Sequence, residues 1–180
     1  ARPAASEMRG LAWAEAARWG ATYRRWPFAF SSARAAVSSD APDPLRKQLA
    51  TERIGWAEKE PAQGDALALK AERAALFPSD AAFVESWIRA LEKAGKLKEA
   101  EEALRGAKAL PEETRLLVLA DLKGDHGDAA GAYAVLEAFV SDPANGPSAS
   151  ALQAFARRAD AVAGAKMDST RLALERTFDA

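Results

Sequence analysis

The chain has 180 residues and a mass of 19.2 kDa, which suits one domain of ordinary size. Hydrophobic residues make up 49% and charged residues 28% of the chain, which excludes wholesale disorder. The 25 basic and 26 acidic side chains nearly cancel, which argues against a dedicated nucleic-acid-binding protein, and the lack of cysteine excludes disulfides, thiolate catalysis and cysteine-ligated metals.

Alanine dominates the composition, with 46 residues or about a quarter of the chain. Alanine is the strongest helix former and a poor strand residue, so we predict an all-α protein. Most prolines fall between segments of helical periodicity, as expected of a residue that stops helices. No apolar run is long enough to span a membrane.

The first predicted helix runs from residue 6 to residue 26, and a short helical piece follows over residues 31–37. This region is basic, because residues 1–50 carry eight basic and four acidic groups, against seventeen and twenty-two in residues 51–180. Residues 13–30 also hold six of the fourteen aromatic side chains. We expect packing of the helix on the rest of the chain to bury several of these rings.

The same aromatic residues offer a second interpretation. Trp13 lies off the main apolar stripe, and the end of the helix at Arg24, Arg25 and Trp26 resembles a partner-docking or interfacial element. This element could contact a protein partner or a membrane surface. The candidate partner-binding residues of the segment are Trp13, Trp19, Tyr23 and Trp26.

From residue 43 onward the helical pattern becomes regular. Asp43 as an N-cap, followed by Pro44 in the first turn, predicts a helix over residues 43–59. Short connections between the later segments predict antiparallel neighbours. We therefore divide the chain into an N-terminal aromatic, basic segment, 1–42, and a helical-repeat domain, 43–180. The further predicted helices are 65–77, 80–94, 97–109, 112–122, 128–140, 148–163 and 168–178.

A repeat is the most informative signal in this domain. A shift of 32 residues superposes the glycines, alanines, leucines and prolines of two segments. Each unit has the pattern helix, glycine turn, helix, proline, and fixed periods of this length are typical of stacked helical hairpins. The matched pairs are Gly95 with Gly127, Ala100 with Ala132, Leu104 with Leu136 and Pro111 with Pro143.

The segment from Lys93 to Leu104, closing at Ala107 and Pro111, resembles the core signature of the tetratricopeptide-repeat family, and residues 127–143 resemble it less completely. The resemblance is clearest over residues 80–143. It implies a right-handed solenoid of antiparallel helical hairpins, whose first helices line a concave groove for a protein or peptide. On matching positions, the groove residues would be Glu85, Arg89, Glu92, Leu117 and Asp121.

The sequence lacks the patterns that carry common chemistries. The one histidine, His126, lies in a turn between predicted helices, and Asp128 beside it is placed to cap the next helix. Phosphate-binding glycine loops, nucleophile elbows and zinc-binding helices are missing. We predict no catalytic residues, no cofactor and no bound metal.

We therefore expect a non-enzymatic protein–protein interaction or scaffold module that binds a protein or peptide through the concave face. One alternative is a structural accessory subunit, held in a larger complex through the aromatic N-terminal helix. Another is an accessory domain of an enzyme whose catalytic part lies elsewhere. The composition suits a bacterial source, and both periplasm and cytoplasm fit the absence of cysteine.

Overall fold

The computed structural model describes residues 5–162, and this part of the chain consists of helices joined by turns, without strands. The all-α prediction is confirmed, and the succession of paired helices is consistent with helical repeats. The helices are α1 (Ala5–Thr22), α2 (Trp26–Val37), α3 (Asp43–Lys59), α4 (Ala66–Leu76), α5 (Ala81–Lys93), α6 (Leu97–Gly106), α7 (Glu112–Asp125), α8 (Ala129–Ser141) and α9 (Ala149–Ala161).

The helix predicted over residues 6–26 is wrong at its C-terminal end. A tight turn follows Thr22, and Trp26 opens the next helix with Pro27 in its first turn. The predicted piece 31–37 is the second half of α2. The helix predicted over residues 168–178 lies outside the described residues.

Two compact units make up the chain, Ala1–Ala90 and Leu91–Ala180, and their boundary falls inside α5. The division predicted between residues 42 and 43 coincides with the start of α3, inside the first unit, and stays a prediction.

In the first unit, α1 and α2 form a closely packed hairpin with small residues between the helices. The buried face of α1 consists of Gly10, Ala14, Ala17 and Gly20, and the buried face of α2 is also mostly alanine. A Cβ atom at Gly20 would lie 2.9 Å from Cδ1 of Phe28 and 3.1 Å from the backbone of Ala29. The helices therefore approach too closely for a larger side chain at this position.

Two buried arginines join the later helices of the first unit. Arg53 on α3 donates two hydrogen bonds to Glu72 on α4, at 2.9 and 3.2 Å. Arg73 donates to Thr51 and Ser86 and lies over the ring of Phe83, 4.1 Å from its centroid. Burial lowers the pKa of Arg73, because the charged guanidinium loses hydration when it is removed from water.

The second unit contains the two matched hairpin turns. Gly95 and Gly127 both have positive φ, 72° and 89°, and each follows the end of a helix. In each turn the next residue donates its backbone N–H to a carbonyl five residues earlier, which is the Schellman arrangement. The repeat thus predicted both turns correctly.

The small residues of the repeat are buried as predicted. Ala100 and Ala132 are both 0% exposed, and the leucines four residues later, Leu104 and Leu136, are also buried. The core of the second unit lies around α7, α8 and α9, where the rings of Tyr133 and Phe155 are tilted by 34° with centroids 5.1 Å apart.

The predicted helix starts are partly confirmed. Asp128 caps α8 by accepting a hydrogen bond from the N–H of Gly131 at 2.8 Å. Asp43 is not a cap, because α3 already includes it and its carboxylate pairs with Arg46 instead. Among the helices of residues 5–162, none combines the length and apolarity needed to cross a membrane.

Candidate functional site

Helix α1 turns its bulky apolar side chains to the outside of the first unit. Trp19 is 56% exposed and Tyr23 is 62% exposed, although Gly20 between them is buried. The burial expected for several aromatic rings in this segment is wrong for these two, because only glycine and alanine fit against α2. We define the aromatic face as the exposed large apolar residues on the outer side of α1 and at the start of α2, namely Met8, Leu11, Trp19, Tyr23 and Phe28.

Trp19 lies at the centre of the aromatic cluster on this face. Its ring centroid is 5.0 Å from that of Tyr23 and 6.2 Å from that of Phe28, which it meets edge-on. Such pairs hold one another in defined orientations. The three rings therefore form an ordered platform rather than three independent exposed side chains.

Charged residues around the aromatic face are mostly basic. Arg9, Arg24 and Arg25 are exposed on α1 and in the turn that follows it. Glu15 lies on the face itself, between Leu11 and Trp19 along the helix, and pairs with Arg18 at 3.2 Å.

Arg18 also links α1 to α3. It donates two hydrogen bonds to Glu52, both 3.2 Å long, and the bond to Glu52 raises the pKa of Arg18. One edge of the aromatic face is thereby fixed to the rest of the first unit.

The two remaining aromatic candidates lie elsewhere. Trp13 is 44% exposed, but the helical spacing places it about 120° away from Trp19 around α1. Trp26 is half-buried and lines a groove of about 410 Å³ together with Trp56. Arg18, Glu52 and Lys59 also line this groove.

The predicted residues of the concave groove are distributed over both units. Glu85 and Arg89 belong to the first unit and form an ion pair along α5 at 3.7 Å. Glu92, Leu117 and Asp121 belong to the second unit.

Within the second unit, Leu117 packs against the core and Asp121 accepts a hydrogen bond from Arg158 at 3.2 Å. Glu92 is partly buried. The assignment of all five residues to a partner-binding groove stays a prediction.

A second cleft lies between α6 and α7. It has a volume of about 360 Å³, and its apolar residues are Leu104, Leu116 and Leu119. Arg105 and Arg115 are among its charged residues, and Nε of Arg115 is buried with no hydrogen-bond partner in the described part of the chain. Its charges have both signs, because Glu101 and Glu112 also line it.

The one histidine of the chain, His126, is exposed and is the C-cap residue of α7. Within residues 5–162, no group of three histidine, aspartate or glutamate side chains is placed to hold a metal ion. The absence of enzymatic activity stays a prediction.

Three residues of the aromatic face were missed from the sequence, namely Met8, Leu11 and Phe28. The stripe of glycine and alanine at positions 10, 14, 17 and 20 marks the packed side of α1, and so it identifies Met8 and Leu11 as exposed. Phe28 lies on α2, and this stripe does not identify it. Comparison of the chain with family models, with curated proteins and with solved structures finds no match.

Proposed function

We propose that this protein is a non-enzymatic protein–protein interaction module that docks through the aromatic face of α1 and α2. The observation that carries the proposal is the exposure of Trp19 and Tyr23, each above 50%, in an ordered cluster. Exposing large apolar side chains together is unfavourable in water, and contiguous patches of this kind mark interaction sites. Tryptophan and tyrosine are also the residues that dominate binding energy in protein interfaces.

A protein partner fits this surface better than a lipid bilayer does. Glu15 lies within the face, where its carboxylate would oppose insertion among apolar chains and approach to anionic lipid. A protein surface can instead offer a cation or hydrogen-bond donor to that carboxylate. The exposed arginines beside the face favour a partner with acidic residues at its rim.

The architecture that we propose for presenting this face is a right-handed, tetratricopeptide-like solenoid. Its support is the pair of equivalent glycine turns at Gly95 and Gly127 and the equivalent buried alanines, Ala100 and Ala132. In this arrangement the concave face, with Glu85 and the other predicted groove residues, is a further binding surface.

A photocrosslinking experiment tests the proposal. The photoreactive residue p-benzoylphenylalanine is placed at position 19, or at position 98 as a control, and each protein is irradiated in cells of the source organism. Lys98 is exposed on α6, outside the aromatic face.

We expect a protein adduct at position 19 that is missing at position 98, whether the adduct contains another protein or a second copy of this chain. The purified adduct partner must then bind the unmodified protein, and Trp19→Ala must weaken binding by about tenfold or more. Equal adducts at both positions, or none at position 19, would contradict the proposal.

A further inference from the structure

We propose that the partner of the aromatic face is a second copy of this chain, paired through α1 in an antiparallel, two-fold symmetric dimer. This inference rests on the proposed function and specifies its partner. A two-fold interface must be complementary to itself, so the face has to provide both halves of every contact. The following features of α1 meet that requirement.

The first feature is the distribution of side-chain size along the face. One helical stripe carries Met8 and Ala12 in its N-terminal half and Trp19 in its C-terminal half. Tyr23, the first residue after α1, continues the stripe, because its N–H donates to the carbonyl of Trp19 at 3.1 Å. An antiparallel pair with its axis between Glu15 and Ala16 places Ala12 of one copy opposite Trp19 of the other. Met8 then lies opposite Tyr23, so each large ring meets a smaller or more flexible side chain.

A parallel pair lacks this complementarity. It would place Trp19 against Trp19 and leave Ala12 facing Ala12, with a gap between the two helices at that level. The size pattern therefore favours the antiparallel arrangement.

The second feature is the distribution of charge. Glu15 lies about 40° from Trp19 around α1, and Arg18 lies about 100° from Trp19 on the same side, so this charged pair borders one flank of the stripe. Arg9 lies about 80° from Trp19 on the other flank, and Glu7 lies as far from Trp19 as Trp13 does, so the charge argument rests on Glu15 and Arg18.

The centre of the proposed interface brings the two copies of Glu15 close together. Each of these carboxylates has Arg18 at 3.2 Å on its own helix. Because the same flank of each helix meets in an antiparallel pair, Arg18 also approaches Glu15 of the other copy. Each Glu15 carboxylate thus has an arginine of both copies nearby, which offsets part of the repulsion between the two carboxylates, while each Arg18 keeps its bonds to Glu52 on its own chain.

Cysteine crosslinking tests both the dimer and its direction, and the natural absence of cysteine gives no background. The variants are Met8→Cys and Tyr23→Cys in the full chain, with Trp13→Cys as an exposed control off the face. Met8 and Tyr23 are 51% and 62% exposed, so these substitutions remove no core residue. Each variant is oxidised alone, and Met8→Cys is also oxidised in an equimolar mixture with Tyr23→Cys.

We expect the mixture to form a Met8→Cys/Tyr23→Cys disulfide dimer, while each variant alone remains largely uncrosslinked. A disulfide needs Cα atoms about 4.4–6.8 Å apart, and in the proposed dimer two copies of either position lie about 22 Å apart along the helices. Trp13→Cys should crosslink no faster than random collision. Light scattering of the unmodified chain should show self-association over the same concentrations.

The opposite pattern, self-crosslinking of each single variant with no gain in the mixture, would overturn the antiparallel dimer in favour of a parallel pair. A monomeric chain without specific crosslinks would overturn the dimer itself. A monomer that sediments with phosphatidylglycerol vesicles would identify lipid as the occupant of the face. A monomer that forms an adduct with a different protein at position 19 would overturn only this inference and leave the proposed function standing.

Discussion

The indole of Trp19 meets the ring of Phe28 edge-on with centroids 6.2 Å apart, and both side chains are more than 40% exposed. The contact joins the last turns of α1 to the first turn of α2 on the outer side of their hairpin. On the inner side, the same two helices meet through glycine and alanine. The large aromatic surface therefore lies outside the hairpin because the space inside it is too narrow.

The close approach of α1 and α2 predicts that Gly20→Ala destabilises the fold. The added Cβ atom would lie 3.1 Å from the backbone of Ala29, which cannot move without displacing α2. We expect a loss of about 1–3 kcal/mol in the free energy of unfolding, measured by chemical denaturation.

Gly55→Ala is the matched control, because a Cβ atom at this helical position meets no atom within 4 Å. It should stabilise the protein by up to about 1 kcal/mol through the greater helix propensity of alanine. Equal effects of the two substitutions would show that α1 and α2 are not in close contact at Gly20.

The turn between α1 and α2 predicts a stabilising substitution. Arg24 has a φ of 53°, a left-handed conformation that disfavours side chains with a Cβ atom. The turn at Arg24 has the same hydrogen-bond pattern as the turns at Gly95 and Gly127. The N–H of the next residue, Arg25, donates to the carbonyl five residues earlier, that of Gly20, at 2.7 Å.

Arg24→Gly should raise the free energy of unfolding by about 0.5–1 kcal/mol, since glycine relieves this strain at some cost in chain entropy. The reverse change, Gly95→Arg, should lower the melting temperature measured by circular dichroism. A lower melting temperature for Arg24→Gly would contradict the turn geometry.

The contact between Asp80 and Lys47 predicts that part of the folding stability of the first unit is lost in acid. Its carboxylate accepts a hydrogen bond of 2.7 Å from Nζ of Lys47, and this contact holds the pKa of Asp80 below its usual range. A carboxyl group with a lowered pKa in the folded state contributes stability above its unfolded pKa, which is lost as the pH falls through the folded pKa.

Asp80→Asn should therefore lower the melting temperature at neutral pH, and the difference from the unmodified protein should disappear near about pH 2. Asparagine keeps the bond to the backbone N–H of Phe83, so the change isolates the ion pair. Asp40→Asn, an exposed control after α2, should change the melting temperature little at neutral pH. A difference for Asp80→Asn that is constant with pH would refute this assignment.

The buried alanine of the repeat predicts a contrast between neighbouring positions on α6. Ala100 is 0% exposed, so Ala100→Trp should overpack the helix and cost about 1–3 kcal/mol or more in unfolding free energy. Glu101→Lys should change stability by less than about 0.5 kcal/mol, because its side chain is only partly buried and lines the cleft between α6 and α7. Similar melting temperatures for both variants would mean that the buried side of α6 is misassigned.

The regular part of the fold could be predicted from the sequence because its signals are local. Gly95 and Gly127 have the residue type that a left-handed turn requires, and the buried Ala100 and Ala132 recur at the same spacing. The first turn has Arg24 in the corresponding conformation, and arginine carries no turn signal. This is why the sequence predicts one continuous helix across residues 23–25.

The candidate site was only partly predictable because the usual hydrophobic rule is reversed on α1. Large apolar residues at helical spacing normally mark the buried side, whereas Trp19 and Tyr23 lie on the exposed side. The packed side consists of small residues, which contribute little to a hydrophobicity pattern. The buried Arg53 and Arg73 are also invisible to such a pattern, because their partners are contributed by other helices.

The molar mass of the intact protein in solution, measured by light scattering over increasing concentration, tests whether the aromatic face pairs two copies of the chain. We expect the mass to rise from 19.2 kDa toward twice that value, and we expect Trp19→Asp to stay monomeric while Trp13→Asp still associates. A mass of one chain for the unmodified protein at every concentration would contradict the dimer, as would equal association of the two variants.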